Sequence, residues 1–268
     1  MLALHVGHAM AVLDCPFGRL PVNLYPSDAH ENGGDARVCR KAGVDCDSCR
    51  VRTVSICNAL RPAERAELES IARRASFGAK ATIFLEGDPA GSYYNITSGA
   101  VRLYRVFRNG RRQVLGFMLP GDFLGLDLGE RRELCAEAVA PTTACRFGRR
   151  HFGDLLADKP HLLHKLHQRT GREINLAYDH MTALGQRSAR GRVAWFLLSL
   201  RDRQGERDSD KAVVDLPMPR QDIADFLGLT IETVSRTLTL LARERVIGIL
   251  PRSVRLIDKG RLAVLAAE

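Results

Sequence analysis

Three features of the 268-residue sequence point to an α+β chain built from several parts. Short β-rich runs punctuated by glycines fill the stretch from Phe77 to Phe152. An apolar seven-residue rhythm follows, and near the C-terminus two short amphipathic helices flank a glycine turn. The expected order is a cysteine-rich arm (1–58), an antiparallel β-roll (59–153), a long dimerisation helix (154–190) and a winged helix-turn-helix (191–268).

Composition narrows the partners. Hydrophobic residues make up 45% and charged residues 26%, an ordinary globular balance, and the formal net charge of +9 favours an anionic partner, nucleic acid first. No apolar run approaches the roughly 18 residues of a spanning helix, so no membrane partner is expected. The start, MLALHVGHAMAVLDCPFG, lacks a basic n-region and carries His5, His8 and Asp14 within its apolar stretch, unlike a secretory signal. The expected location is therefore the reducing cytoplasm, where stable disulfides are a poor reading of seven cysteines. There is no Gly-rich phosphate loop, no HExxH and no nucleophile–base pair, so no enzyme is expected.

The arm, with Gly33-Gly34 and Pro16, Pro21 and Pro26, reads as irregular. Helical rhythm begins in ALRPAERAELESIARRASF, where Leu60, Leu68 and Ile71 fall near helical spacing about the start signal at Arg61-Pro62. The runs ATIFLEG, AVRLYRVF, RQVLGFML, CAEAVA and TACRFG read as strands, with Asn109-Gly110 as a hairpin turn. A helix is expected from about Lys159 to Arg187. Within it Leu163, Thr170, Ala177 and Leu184 recur every seven residues, and Ile174 and Met181 fill the alternate seam. That pattern suits a helix pairing with its copy in a homodimer, or a helix packed within its own chain. The segment GQRSARGR then reads as a basic hinge.

The C-terminal region contains PRQDIADFLGLTIETVSRTLTLLARERVIGI. Ile223, Ala224 and Leu227 give a first helix its apolar face, Gly228 supplies the turn, and Thr230 caps a second helix whose Val234, Leu238 and Leu241 face inward. Its outward Glu232, Ser235 and Arg236 suit base edges: Arg donates to guanine, Glu accepts from cytosine, and Ser serves either role. Thr230 and Thr233 complete the expected DNA-binding set. VIGILPRSVRLID reads as a wing, with Arg252 and Arg255 suited to phosphates.

A β-roll, a dimer helix and a winged head reading TIETVSR resemble the CRP/FNR superfamily of bacterial transcription regulators, from about Cys46 to Ile257. Relatives of the catabolite activator protein carry arginine where this chain has Ile231 and glycine where it has Ser235. The FNR (fumarate and nitrate reductase regulator) branch has an aliphatic residue and serine there, as in alphaproteobacterial FnrN/FnrL-like members. The resemblance implies a cyclic-nucleotide-binding-like roll and a TTGAT-N4-ATCAA palindrome in double-stranded DNA. Arg236 would read the G, Glu232 the opposing strand and Ser235 the outer T, with RNA polymerase as a further partner. The phosphate-clamping Arg-Ser pair of cyclic-AMP-binding relatives is replaced by Cys135 and Ala136. Arg131 and Arg132 are only nearby substitutes, so no cyclic nucleotide is expected.

The same resemblance implies the fate of the thiols. FNR proteins hold one oxygen-labile 4Fe–4S cluster per monomer on three N-terminal cysteines and one from the roll, matched here by Cys46-x2-Cys49-x7-Cys57 and Cys145. Cys135 lies off the ligand position, Cys39 matches a non-ligating cysteine, and Cys15 has no counterpart. By ligand chemistry alone tetrahedral zinc fits four thiolates equally well. A cluster-free FixK-like regulator with structural zinc or redox-sensitive thiols is the alternative. On the cluster reading, the bridge to Cys145 just before the helical run expected near Asp154 would couple cluster integrity to dimer-helix packing, and Ile56 would shield the cluster.

Overall fold

The computed structural model describes residues 44–127, 129–205 and 212–268; Cys15, Cys39 and the arm before residue 44 lie outside the described residues. Two 3-10 turns, Arg52–Val54 and Ile56–Ala59, lead into α1 (Pro62–Ile71). Pro62 suits the first helical position because its missing N–H is not needed there, and Glu64 Oε2 accepts from the Arg61 N–H at 2.8 Å. The helix stops at Ala72. ARRASF, expected to continue the helical rhythm, is instead strand β1 (Ala72–Phe77), because it pairs antiparallel with β8 (Thr142–Gly148) from Ala72↔Phe147 to Phe77↔Thr142. That partner is remote in the chain, so local rhythm could not reveal it.

The remaining strands of the roll are β2 (Thr82–Phe84), β3 (Ser92–Ser98), β4 (Val101–Val106), β5 (Arg112–Met118), β6 (Phe123–Leu124) and β7 (Cys135–Ala138). They form two sheets, ordered β1-β8-β3-β6 and β2-β7-β4-β5. Phe77, Tyr94, Ile96 and Ala144 of one meet Phe84, Val101, Met118 and Ala136 of the other in a buried core. Asn109-Gly110 does turn the β4–β5 hairpin: Gly110 takes φ +75°, and Asn109 Oδ1 accepts from the Arg111 N–H at 3.0 Å. Strand β3, SYYNITS, was not among the expected runs.

After β8 the chain forms α2 (Arg149–Asp158), breaks at Lys159, and restarts as α3 (Pro160–Gln186). Residue 154, the expected start of the long helix, thus lies inside a separate helix. The Pro160 ring would clash with the preceding turn of a continuous helix, so the chain restarts there with proline in its first turn. The basic segment GQRSARGR divides between the end of α3, a break at Arg187-Ser188 and the start of α4 (Ala189–Gly205).

The other face of the first sheet is covered too. Cys145, Phe147 and Phe123 pack there with Phe152 and Leu155 of α2, Leu162 and Leu166 of α3, and Cys46, Ile56 and Cys57 of the turn segment. The C-terminal part contains β9 (Val213–Asp215), α5 (Arg220–Leu227), α6 (Ile231–Arg243), β10 (Ile247–Leu250), β11 (Ser253–Leu256) and α7 (Lys259–Ala267), with a sheet ordered β10-β11-β9. Its apolar core is continuous with Tyr104, Val114 and Phe117 of the hairpin, so roll and head share buried surface.

Candidate functional site

Helices α5 and α6 form a helix-turn-helix. Ile223, Ala224 and Leu227 are buried, and Gly228 closes α5 in the left-handed region at φ +61°. Thr230 caps α6, its hydroxyl accepting from the Thr233 N–H at 3.2 Å, while Val234, Leu238 and Leu241 bury the inner stripe. Glu232, Ser235 and Arg236 are all exposed, and Thr233 is half-buried beside the cap. The Glu232 carboxyl is held below its ordinary range by its own N–H, the Thr230 hydroxyl and Arg236. The surface therefore offers an ionised acceptor and a guanidinium one turn apart. Strands β10 and β11 make the wing around Pro251-Arg252, and β9 extends it.

The second candidate site lies against α3. Cys46, Cys57 and Cys145 are buried and Cys49 is half-buried. Burial pushes the Cys145 thiol up to about 12, and Cys57, Cys49 and Cys46 add to that while Arg74 opposes it. Burial likewise raises Cys46 to about 12, reinforced by Cys57, Glu69 and Cys49. Burial also raises Cys57, against a hydrogen bond from Ser55. All four thiols thus feel one another across the turn segment and β8. Among the described residues, no group of three or more His, Cys, Asp or Glu side chains is arranged to hold a metal ion.

The turn segment is tied down by polar contacts. The Cys46 N–H donates to Glu69 at 2.6 Å, Asp47 pairs with Arg65 at 2.5 Å, and Asp45 accepts from the N–H groups of Asp47 and Ser48. Ile56 is wholly buried in the shared apolar cluster. Directly across the strand pair from Cys145 stands Asn95, whose Oδ1 is buried with no hydrogen-bond partner. The donor chemistry is that of a thiolate-bound group: Cys145, which feels the other three thiols, stands across from a buried amide with an open polar atom. Cys135 stands apart; its sulfur accepts from the Glu86 N–H at 3.3 Å, the behaviour of a buried small hydrophobe.

Arg132 shapes the inside of the roll. It is 3% exposed, donates to the carbonyls of Gly125 and Ser92, pairs with Asp127 at 2.7 Å, and lies 4.3 Å over the Phe84 ring. Its charge is therefore spent on the chain's own acceptors. Gly125 makes room for it, since a Cβ there would stand 2.6 Å from Arg132 Nη1.

The seven-residue stripe of α3 splits. Leu163, Ile174, Ala177 and Met181 are exposed, and so is Tyr178, which the heptad count passed over. Thr170 is half-buried, its hydroxyl bonded to the Leu166 carbonyl. Leu184 is also half-buried and leans on Gly228 of the head, so its lower end serves this chain's own packing.

The sequence profile of the Crp-like helix-turn-helix domain matches residues 191–265, and that of the cyclic nucleotide-binding domain matches residues 74–159. The chain is similar to the nitrogen fixation regulation protein FixK of Bradyrhizobium diazoefficiens, 45% identical over 222 residues, 83% of this chain and 94% of that one. It belongs to the CRP/FNR family of transcription regulators. The transcriptional activator protein FnrL of Cereibacter sphaeroides is 33% identical over 231 residues, covering 83% of this chain and 92% of FnrL. The solved structure of FixK2 from Bradyrhizobium japonicum superposes with a TM-score of 0.68 at 37% identity, covering 74% of this chain and 98% of that one. As a family member the chain is a DNA-binding regulator and not an enzyme, with a roll, helices and a reading head as expected. No helix among the described residues is long and apolar enough to cross a membrane.

Sequence reasoning passed over Asn95, Tyr178 and the role of Arg132. Strand register could have pointed to Asn95, but register is set by pairing and is not written in any one strand.

Proposed function

We propose that this regulator responds to oxygen, binding a TTGAT-N4-ATCAA palindrome as a homodimer while Cys46, Cys49, Cys57 and Cys145 hold an oxygen-labile 4Fe–4S cluster. The observation that carries this reading is the convergence of Cys46, Cys57 and Cys145 on the apolar cluster containing Leu162 and Leu166 of α3, with Cys49 close enough to act on Cys46 and Cys145. When bound, the cluster supplies iron–thiolate bonds that join the turn segment to β8 until oxygen removes them.

The chain's own residues convert that junction into pairing. Ile56 and Cys57 pack with Leu162 and Leu166 on one side of α3, adjoining the exposed stripe of Leu163, Ile174, Ala177, Tyr178 and Met181. A second copy covers that stripe and sets two α6 helices about 34 Å apart, one DNA turn. Without thiolate ligation the turn segment keeps the apolar burial of Ile56, Cys46 and Cys57 and surface ties such as Asp47 to Arg52 and Arg65, the latter each worth about 1 kcal/mol or less. A few kcal/mol of differential stability is enough to shift the monomer–dimer balance. Arg132 occupies the roll interior, so the reading requires no cyclic nucleotide; RNA polymerase is the further partner it implies.

One observation favours a second reading. Identity to FixK, at 45%, exceeds that to FnrL, at 33%. A cluster-free regulator would keep the same head and use the thiols for structural zinc or redox sensing. Anaerobic purification separates the two. The first reading requires brown protein with about four irons and four sulfides per chain, and palindrome binding that air abolishes. Colourless protein whose binding survives air ends it.

A further inference from the structure

The hairpin of the roll grips the first helix of the reading head through charge. Arg102 on β4 donates from Nη1 to both carboxylate oxygens of Asp222 at 2.7 Å, and from Nη2 to Glu137 at 2.7 Å. Arg112 on β5 reaches the same Asp222 at 2.9 Å and Asp225 at 3.4 Å. Gln113 donates to the Asp225 carbonyl at 2.6 Å. Both guanidiniums lie over the Tyr104 ring, 5.7 and 5.5 Å from its centre. Asp222 is 1% exposed and sits in the first turn of α5, facing the roll rather than the outer surface of α6.

A carboxylate with so little access to water is tolerated only while paired, and a pair of this kind contributes geometry more than net stability. Rotating the head on the roll would strip Asp222 of both arginines at once. Apolar contacts run beside the ion pairs: the Phe226 ring of α5 stands 5.4 Å from Phe117 of β5. We propose that Arg102 and Arg112, acting through Asp222 and Asp225, are the positioning residues that hold each reading head in one orientation on its own roll. The head then follows its roll as one body, and control of DNA binding falls to how two copies pair. This rests on DNA binding alone and holds whether or not the thiols carry a metal.

The test uses the full chain with Arg102→Gln, Arg112→Gln and both together. Spin labels on unnatural amino acids at the exposed positions Arg108 and Thr239 report roll-to-head distances. DNA affinity is read on a duplex selected from random sequence by the wild type, with sedimentation and thermal unfolding alongside. The expected result is a broadened distance distribution and an affinity loss of about tenfold or more, with dimer content unchanged. Arg112→Lys, which keeps the charge, should restore most of both. A narrow distribution overturns the proposal even if affinity falls, and so does broadening with affinity within about twofold of wild type. Should the double variant not fold, the half-exposed Arg112→Gln decides by the same two readouts.

Discussion

His180 on α3 meets the main-chain carbonyl of Phe226 at 2.7 Å through Nε2, while its imidazole stacks on the Phe226 ring at 3.8 Å. Trp195 of α4 lies parallel on the same ring system. The long helix is thereby pinned to α5 of the head by a neutral imidazole. Burial holds His180 below its ordinary value near 6.5, so the unfolded chain takes up the proton first as pH falls. The contribution is fully present above 6.5 and is lost progressively below it. Thermal unfolding between about pH 7.5 and pH 5.5 should show a steeper loss of stability for the wild type than for His180→Gln. Equal slopes would assign the acid sensitivity to other groups.

Arg236 is exposed, so Arg236→Ala should leave the unfolding midpoint unchanged. If it reads the guanine of the palindrome, it should weaken DNA binding by about 1–3 kcal/mol and relax discrimination at that base. Fluorescence anisotropy on duplexes differing only there measures both. A uniform loss across all sequences would make it a phosphate contact.

Ile174 and Met181 are 46% and 58% exposed in the single chain. Ile174→Glu with Met181→Glu should therefore fold normally yet sediment as a monomer. Losing simultaneous contact with both half-sites should lower affinity for the full palindrome by about 10²-fold or more. A variant that stays dimeric would move the interface off this stripe.

Gly121 takes φ +96°, and a Cβ there would stand 2.8 Å from Val54 Cγ2 and 3.3 Å from its carbonyl oxygen. Gly121→Ala should cost about 1–3 kcal/mol in backbone strain alone and push the turn segment off its seat. The readout is faster alkylation of Cys46 and Cys57 with a lowered unfolding midpoint. Gly78→Ala is the control, because no heavy atom stands within 4 Å of a Cβ at that position.

The reading head was legible from sequence because its signals are short-range. The cap at Thr230, the glycine at 228 and the inner stripe of Val234, Leu238 and Leu241 all act within a few residues of one another. The hairpin at Asn109-Gly110 was legible for the same reason. Strand β1 was read as helix and β3 was passed over, because both become strands only by pairing with the remote β8.

The amino-acid order by itself determined that this chain is a winged-head DNA reader with a glycine-punctuated roll, since caps, turns and apolar periods are written in neighbouring residues. Tertiary structure alone decided what those parts touch. It brought Cys46, Cys57 and Cys145 from two distant segments together against α3, turned Arg132 into the roll, and buried Asp222 between two arginines of the hairpin. Charges and thiols are placed by folding across long stretches of chain, where desolvation and strand register, neither of them local, set who meets whom.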